Sequence, residues 1–118
     1  MHPALLNNSL FLRYYKQWQD DPESIVFASI ADFFLTYGMI DEAFKICAIG
    51  LKKHPNLISG KLVMSKIHMK RGNWEEAEDE LKSVLYLAAR VAVNRIITLK
   101  DLTSAEFDEL SIVANQAL

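Results

Sequence analysis

The chain has 118 residues, enough for one small domain or about three helical repeats around a modest hydrophobic core. Hydrophobic residues make up 51% of it and charged residues 24%, which excludes an intrinsically disordered chain. The net charge of −2 gives no electrostatic footprint for nucleic acid, and a single cysteine, Cys47, excludes an intrachain disulfide.

The N-terminal residues do not resemble an export signal. The apolar stretch 4–12 is interrupted by Asn7, Asn8 and Ser9, and no basic residue precedes it. No part of the sequence reaches the roughly 18 consecutive apolar residues that a membrane span requires. We therefore expect a soluble, cytoplasmic protein that does not insert into a membrane.

The positions of proline and glycine divide the chain into windows of helical length. Pro22 and Pro55 are separated by almost the same length of chain as Gly38 and Gly72. Strand-like alternation of apolar and polar residues is absent from the windows between them. The sequence therefore predicts an all-α fold, an α-solenoid of stacked antiparallel helix hairpins with about six to seven helices.

The first predicted helix covers residues 4–21 and carries an aromatic stripe. Phe11, Tyr14, Tyr15 and Trp18 recur at helical spacing, and we expect them to pack against the next helix. Pro22 ends this helix, because the residue before a proline is disfavoured in the helical conformation.

The segment 24–56 is predicted to form two helices joined at Gly38. The first runs from about Ser24 to Tyr37 and the second from about Asp41 to Lys53. Gly50 lies inside the second helix, where glycine costs about 1 kcal/mol relative to alanine. Close approach of a neighbouring helix backbone would explain its presence.

The segment 57–90 repeats this arrangement, with helices on either side of Gly72. The second of these helices is expected to bury one stripe of side chains, consisting of Trp74, Ala77, Leu81, Val84 and Leu85. Two outcomes fit the residues that follow. The chain turns near Ala88 and starts a third repeat, or the helix continues to about Leu99.

The segment 91–118 is predicted to contain degenerate C-terminal helices. Thr103-Ser104-Ala105-Glu106 is a capping box that predicts the start of a last helix. The prediction is therefore a single domain over residues 1–118.

The sequence shows no pattern typical of a catalytic or metal site. His2, His54 and His68 are far apart and share no ligand spacing with Cys47. Neither a glycine-rich phosphate loop nor a nucleophile elbow occurs. We expect no enzymatic activity, no metal and no cofactor.

A short motif occurs twice in the chain, in the same phase of the helical pattern. Residues 38–43 read Gly-Met-Ile-Asp-Glu-Ala, and residues 72–77 read Gly-Asn-Trp-Glu-Glu-Ala. With the hydrophobic positions around it, the repeated block resembles the tetratricopeptide repeat (TPR), an antiparallel helix pair of about 34 residues. The resemblance covers about two repeats. The chain departs from the family pattern at four positions. Cys47 stands where the family prefers an aromatic residue, and Gly50 where it prefers alanine. Lys61 replaces the usual bulky residue, and Ala89 replaces the closing proline.

The resemblance implies a protein–protein interaction adaptor. In this family the first helix of each pair lines a concave groove that receives a peptide or helix of a partner protein. The positions that correspond here are Ile25, Ala28, Asp32, Leu35, Ser59, Leu62, Lys66 and Met69. Family members that clamp a carboxylate use a lysine and an asparagine where this chain has Ala28 and Asp32, so an acidic tail is disfavoured as the ligand.

Two other functions fit the same sequence. The chain could be a self-association module that forms a homodimer by burying the aromatic stripe together with apolar residues of the segment 85–99, which are Leu85, Val91, Val93, Ile96, Ile97 and Leu99. It could also be a small chaperone that shields a helix of a secreted subunit.

Overall fold

A computed structural model describes residues 1–98, 112, 113, 115 and 116, without the side chains of residues 96–98. No strand occurs in that part of the chain, which confirms the all-α prediction. Six helices lie within residues 1–98: α1 (Pro3–Leu6), α2 (Ser9–Asp20), α3 (Phe27–Thr36), α4 (Ile40–Lys53), α5 (Ile58–Lys70) and α6 (Trp74–Thr98). The helix predicted from Thr103 falls almost wholly outside the described residues.

The prediction of one N-terminal helix over residues 4–21 was wrong, because the helix is interrupted at Asn7 and Asn8, between α1 and α2. Asn8 has an extended backbone, and its side-chain oxygen accepts a hydrogen bond from the backbone N–H of Phe11 at 3.0 Å. Asparagine at this position caps a new helix instead of continuing the old one. Leu5 on α1 is fully buried and attaches the N-terminal turn to the core.

Helices α3 and α5 end in two turns of the same type, one repeat apart. Gly38 and Gly72 have φ values of 78° and 76°, a region that glycine enters without a steric penalty. The N–H groups of Met39 and Asn73, the residues after these glycines, bond to the carbonyls of Phe34 and His68, each at 2.8 Å. These are the bonds of the Schellman motif, so the repeated sequence motif specifies a repeated helix end.

Helices α2 and α4 also end alike. The N–H of Asp21 bonds to the carbonyl of Gln17, and the N–H of His54 bonds to the carbonyl of Gly50, each at 2.9 Å. A proline follows each of these end residues. The connection from α2 to α3 therefore begins in the same way as the connection from α4 to α5.

The short turns place α3 against α4 and α5 against α6 as two consecutive hairpins. Helix α5 also packs against both α3 and α4, so the hairpins share one hydrophobic core. The aromatic stripe of α2 joins this core as predicted. Phe11 is fully buried, and its ring centroid lies 5.6 Å from that of Phe33 and 5.7 Å from that of Phe34.

Gly50 makes room for an aromatic ring, not for the helix backbone that the sequence led us to expect. A Cβ atom built at Gly50 would clash with the Cγ, Cδ1 and Cδ2 atoms of Phe27, which projects from α3 and is 1% exposed. The same ring lies 3.0 Å from a Cβ atom built at Gly60 and stacks on the imidazole of His54. Two glycines therefore form the slot for one core phenylalanine.

Helix α6 continues without interruption to Thr98, so the chain does not turn near Ala88. Its 25 residues give a length of about 37 Å. Within the described part of the chain, α5 is the helix on which α6 packs closely. No helix among the described residues is long and apolar enough to cross a membrane.

The predicted inner stripe of α6 was only partly right. Ala77 and Val84 are buried against α5, whereas Trp74, Leu81 and Leu85 are 67%, 37% and 46% exposed. At 100° per residue the exposed group is centred about 70° around the helix axis from the buried pair. Helix α5 covers the direction of the buried pair and leaves the other direction exposed.

Candidate functional site

An open cleft lies between α3, α5 and the start of α6. It has a volume of about 500 Å³ and is lined by Asp32, Leu35, Thr36, Lys66, Met69, Lys70 and Trp74. Leu35 and Met69 are apolar lining residues at equivalent positions of α3 and α5, one repeat apart. Leu35 also belongs to the core and is 7% exposed, whereas Met69 is 36% exposed. Apolar walls with a few polar groups are typical of binding sites.

An ion pair joins the two helices at this cleft. The ammonium of Lys66 lies 3.2 Å from the Oδ1 atom of Asp32, and about half of each side chain remains exposed. An exposed pair of this kind contributes at most about 1 kcal/mol to stability. Both charges therefore remain accessible to a ligand, which could use them to fix its register.

A second cleft adjoins the first on the other side of α3. Its volume is about 260 Å³, and Tyr14 of α2, Ser29 and Phe33 are among its lining residues. Asp32 and Thr36 line both clefts, so the two are neighbours across one helix. The surface thus extends from α2 over α3 to α5.

The structure brings four of the eight predicted groove residues together. Asp32, Leu35, Lys66 and Met69 line the larger cleft. The assignment of Ala28 to a binding surface was wrong, because Ala28 is 4% exposed and belongs to the core.

The other three predicted groove residues lie outside the residues that line the two clefts. Ile25 precedes the first turn of α3 and is exposed. Ser59 and Leu62 are exposed on the first half of α5, away from the Lys66–Met69 end that lines the cleft. Of the predicted groove, only residues in the C-terminal halves of α3 and α5 therefore line the cleft.

The sequence interpretation missed three residues of the larger cleft, Thr36, Lys70 and Trp74, of which Trp74 is the large apolar one. It was assigned to the buried stripe of α6, but its side chain is 67% exposed at the edge of the cleft. Its position at the first residue of the helix was not a sufficient signal, because the equivalent residue of α4, Ile40, is partly buried and packs against the core.

The reactive side chains of the core have structural roles. The thiol of Cys47 is buried and donates to the carbonyl of Gly60 at 3.3 Å. Burial, with a smaller effect of the Glu80 carboxylate, raises its pKa to about 12, so the nucleophilic thiolate is not populated at neutral pH. The ring of His68 packs edge-on against the ring of Phe44, with 6.4 Å between the ring centroids.

The described residues contain no group of three or more histidine, cysteine, aspartate or glutamate side chains that could hold a metal ion. Lys82 and Glu78 of α6 form an ion pair with 3.0 Å between Nζ and Oε1, and the hydrogen bond from Lys82 to Glu78 raises the pKa of Lys82.

Two residues predicted for self-association, Tyr14 and Trp18 of the aromatic stripe, lie on α2 and pack against the core. The others belong to α6, apart from Leu99, which lies outside the described residues. Leu85 and Val91 are each 46% exposed, and Val93 is half-buried. Ile96 and Ile97 continue the helix, but their side chains are among those not described.

No protein-family model, curated protein or solved structure matches the chain. A function must therefore be argued from the repeated turns, the cleft and the faces of the helices.

Proposed function

We propose that this chain is a TPR-like helical adaptor that binds a peptide segment of a partner protein in the cleft between α3 and α5 and catalyses no reaction. The observation that carries the proposal is the exposed Trp74 beside Leu35 and Met69 in an open, apolar-walled cleft. Tryptophan is enriched among the residues that dominate binding energy at protein interfaces.

The repeated geometry supports an adaptor of the TPR type. The turns at Gly38 and Gly72, one repeat apart, match in φ and in hydrogen bonding. Equivalent positions of successive hairpins then face the same side, as Asp32 and Lys66 do through their ion pair. A series of hairpins arranged in this way presents one extended surface, which is the property that repeat proteins use for binding.

The cleft suggests how a peptide would lie. An apolar side chain of the peptide enters between Leu35 and Met69 and contacts the indole of Trp74. The peptide backbone then crosses α3 towards the smaller cleft at Tyr14, passing Asp32 and Thr36, which line both clefts. The charges of Asp32 and Lys66 select the polar residues next to the anchor.

The proposal can be tested with a library of short random peptides displayed on phage and selected on the purified chain. We expect enriched peptides to share one large apolar anchor and to shift the emission of Trp74 to shorter wavelength as the indole loses water. Met69→Glu places a charge among the apolar lining residues and should weaken binding of a selected peptide at least tenfold, as should Trp74→Ala.

Ile49→Glu is the matched control. Ile49 is 53% exposed on α4 and is not among the lining residues of either cleft, so this variant adds the same charge elsewhere. Circular dichroism should show equal helicity for all variants. The proposal fails if no peptide is enriched, or if the selected peptides bind Met69→Glu and Trp74→Ala as tightly as the unaltered chain.

A further inference from the structure

Helix α6 carries a second apolar surface, which extends beyond the cleft and shares only Trp74 with it. Trp74, Leu81, Leu85, Ala88 and Ala92 are all exposed, and they follow one another at spacings of seven, four, three and four residues. Alternating steps of three and four residues form the heptad pattern by which two helices pair along their length. We call these five residues the α6 strip.

Two charged residues belong to the same heptad series. Glu78 lies in the series between Trp74 and Leu81, and Arg95 follows Ala92 by three residues. The acidic member is near the start of the helix and the basic member near its end. The wider helix has the same asymmetry, since residues 75–80 include five carboxylates and residues 83–95 include two arginines and no carboxylate.

The order of large, small and charged residues along this heptad series indicates which helix would pair with the α6 strip. In an antiparallel pair of identical helices, Glu78 lies level with Arg95 of the second copy when Leu85 lies level with Ala88. The same register sets Leu81 opposite Ala92. Each leucine then meets an alanine, and each carboxylate meets a guanidinium, which satisfies both packing and charge.

A parallel pair of the same helices is disfavoured by the same residues. It would set Glu78 against Glu78 and Arg95 against Arg95, and like charges at such positions oppose association. The antiparallel pair has a two-fold axis, so one strip serves both copies. We propose that the α6 strip is the self-association surface of this protein, occupied by the α6 strip of a second copy running antiparallel.

This surface is separable from the proposed peptide site. Leu81, Leu85 and Ala88 are not among the residues that line either cleft. Only Trp74 belongs to both surfaces. Variants at Leu85 therefore test self-association, whereas variants at Met69 test peptide binding.

The experiment is light scattering after size exclusion, over a concentration series of the whole chain. We expect a mass near twice 13.4 kDa at high concentration. Leu85→Glu should reduce the mass to 13.4 kDa with unchanged helicity by circular dichroism. Ile49→Glu, which alters a similarly exposed aliphatic residue on α4, should remain dimeric.

The register is tested by exchanging the two charges. Glu78→Arg and Arg95→Glu, each alone, should raise the dimer dissociation constant at least tenfold, because each places like charges opposite one another. Mixing the two variants, or combining both changes in one chain, should restore the dimer.

Three results would overturn the proposal. The first is a mass of 13.4 kDa at every concentration, which would leave the strip to another occupant, such as residues 99–118 or a different protein. The second is a dimer that Leu85→Glu leaves intact. The third is a dimer whose dissociation constant neither charge substitution changes, which would exclude the antiparallel register.

Discussion

Replacing Gly50 with alanine should destabilise the protein even though alanine is the better helix former. The substitution gains about 1 kcal/mol of helix propensity. The new methyl group, however, occupies the space of the Phe27 ring, which is 1% exposed and confined by Gly60 and His54. Overpacking of a core costs about 1–3 kcal/mol.

Because the added Cβ atom meets three atoms of a buried ring, we expect an overpacking cost of about 3 kcal/mol, the upper end of that range. After the gain of about 1 kcal/mol in helix propensity, Gly50→Ala should lower the free energy of unfolding by about 2 kcal/mol. For a domain of this size, that loss corresponds to a decrease of roughly 8 °C in the melting temperature. Urea and thermal unfolding followed by circular dichroism would measure both quantities.

A second substitution separates the clash from other effects of alanine. Phe27→Leu removes the ring that occupies the slot, so the double variant Gly50→Ala/Phe27→Leu should lose less stability than the sum of the two single changes. The difference measures the clash directly. A Gly50→Ala variant as stable as the unaltered protein would refute the assignment of Gly50 as the slot for Phe27.

Three further predictions concern the turns, the buried thiol and the ion pair. Gly38→Ala and Gly72→Ala should each cost about 1 kcal/mol in urea unfolding, because φ is positive at both glycines although nothing lies within 4 Å of an added methyl group. Burial raises the pKa of Cys47 from 9.0 to about 12, so the native state keeps a proton that the unfolded state loses. The free energy of unfolding should therefore fall between about pH 9 and 12 more steeply than in Cys47→Ala, and equal slopes would contradict this assignment. Asp32→Ala should change the free energy of unfolding by less than about 1 kcal/mol, since its pair with Lys66 is half exposed, and a larger loss would show that the pair is structural.

The features that the sequence predicted best are those determined by short stretches of chain. The helix ends at Gly38 and Gly72 depend on the φ that glycine permits and on backbone bonds between residues close along the chain, so the repeated motif was sufficient to place them. The cleft residues Leu35 and Met69 were predicted from the resemblance to the TPR, and each lies three residues before its glycine.

The features that were missed depend on which element covers a residue. Trp74 has the periodicity of a buried stripe, but only Ala77 and Val84 face α5. The sequence could not predict which group faces Gly50 either. Phe27 lies on the preceding helix and contacts Gly50 only when α3 and α4 pack together. The break at Asn8 is different in kind, since its capping bond to Phe11 is local and the asparagine was a visible signal.

The continuity of α6 decides how the two proposed surfaces relate to each other. Alanine and valine near residue 88 are compatible with both a turn and a helix, so local preference left the choice open. The straight helix places Trp74 at the start of a strip that extends along a helix of about 37 Å, away from the cleft. Because one indole belongs to both surfaces, a second copy that covers Trp74 competes with a peptide that binds it. By linkage, peptide binding then weakens the dimer by the factor by which dimerisation weakens peptide binding.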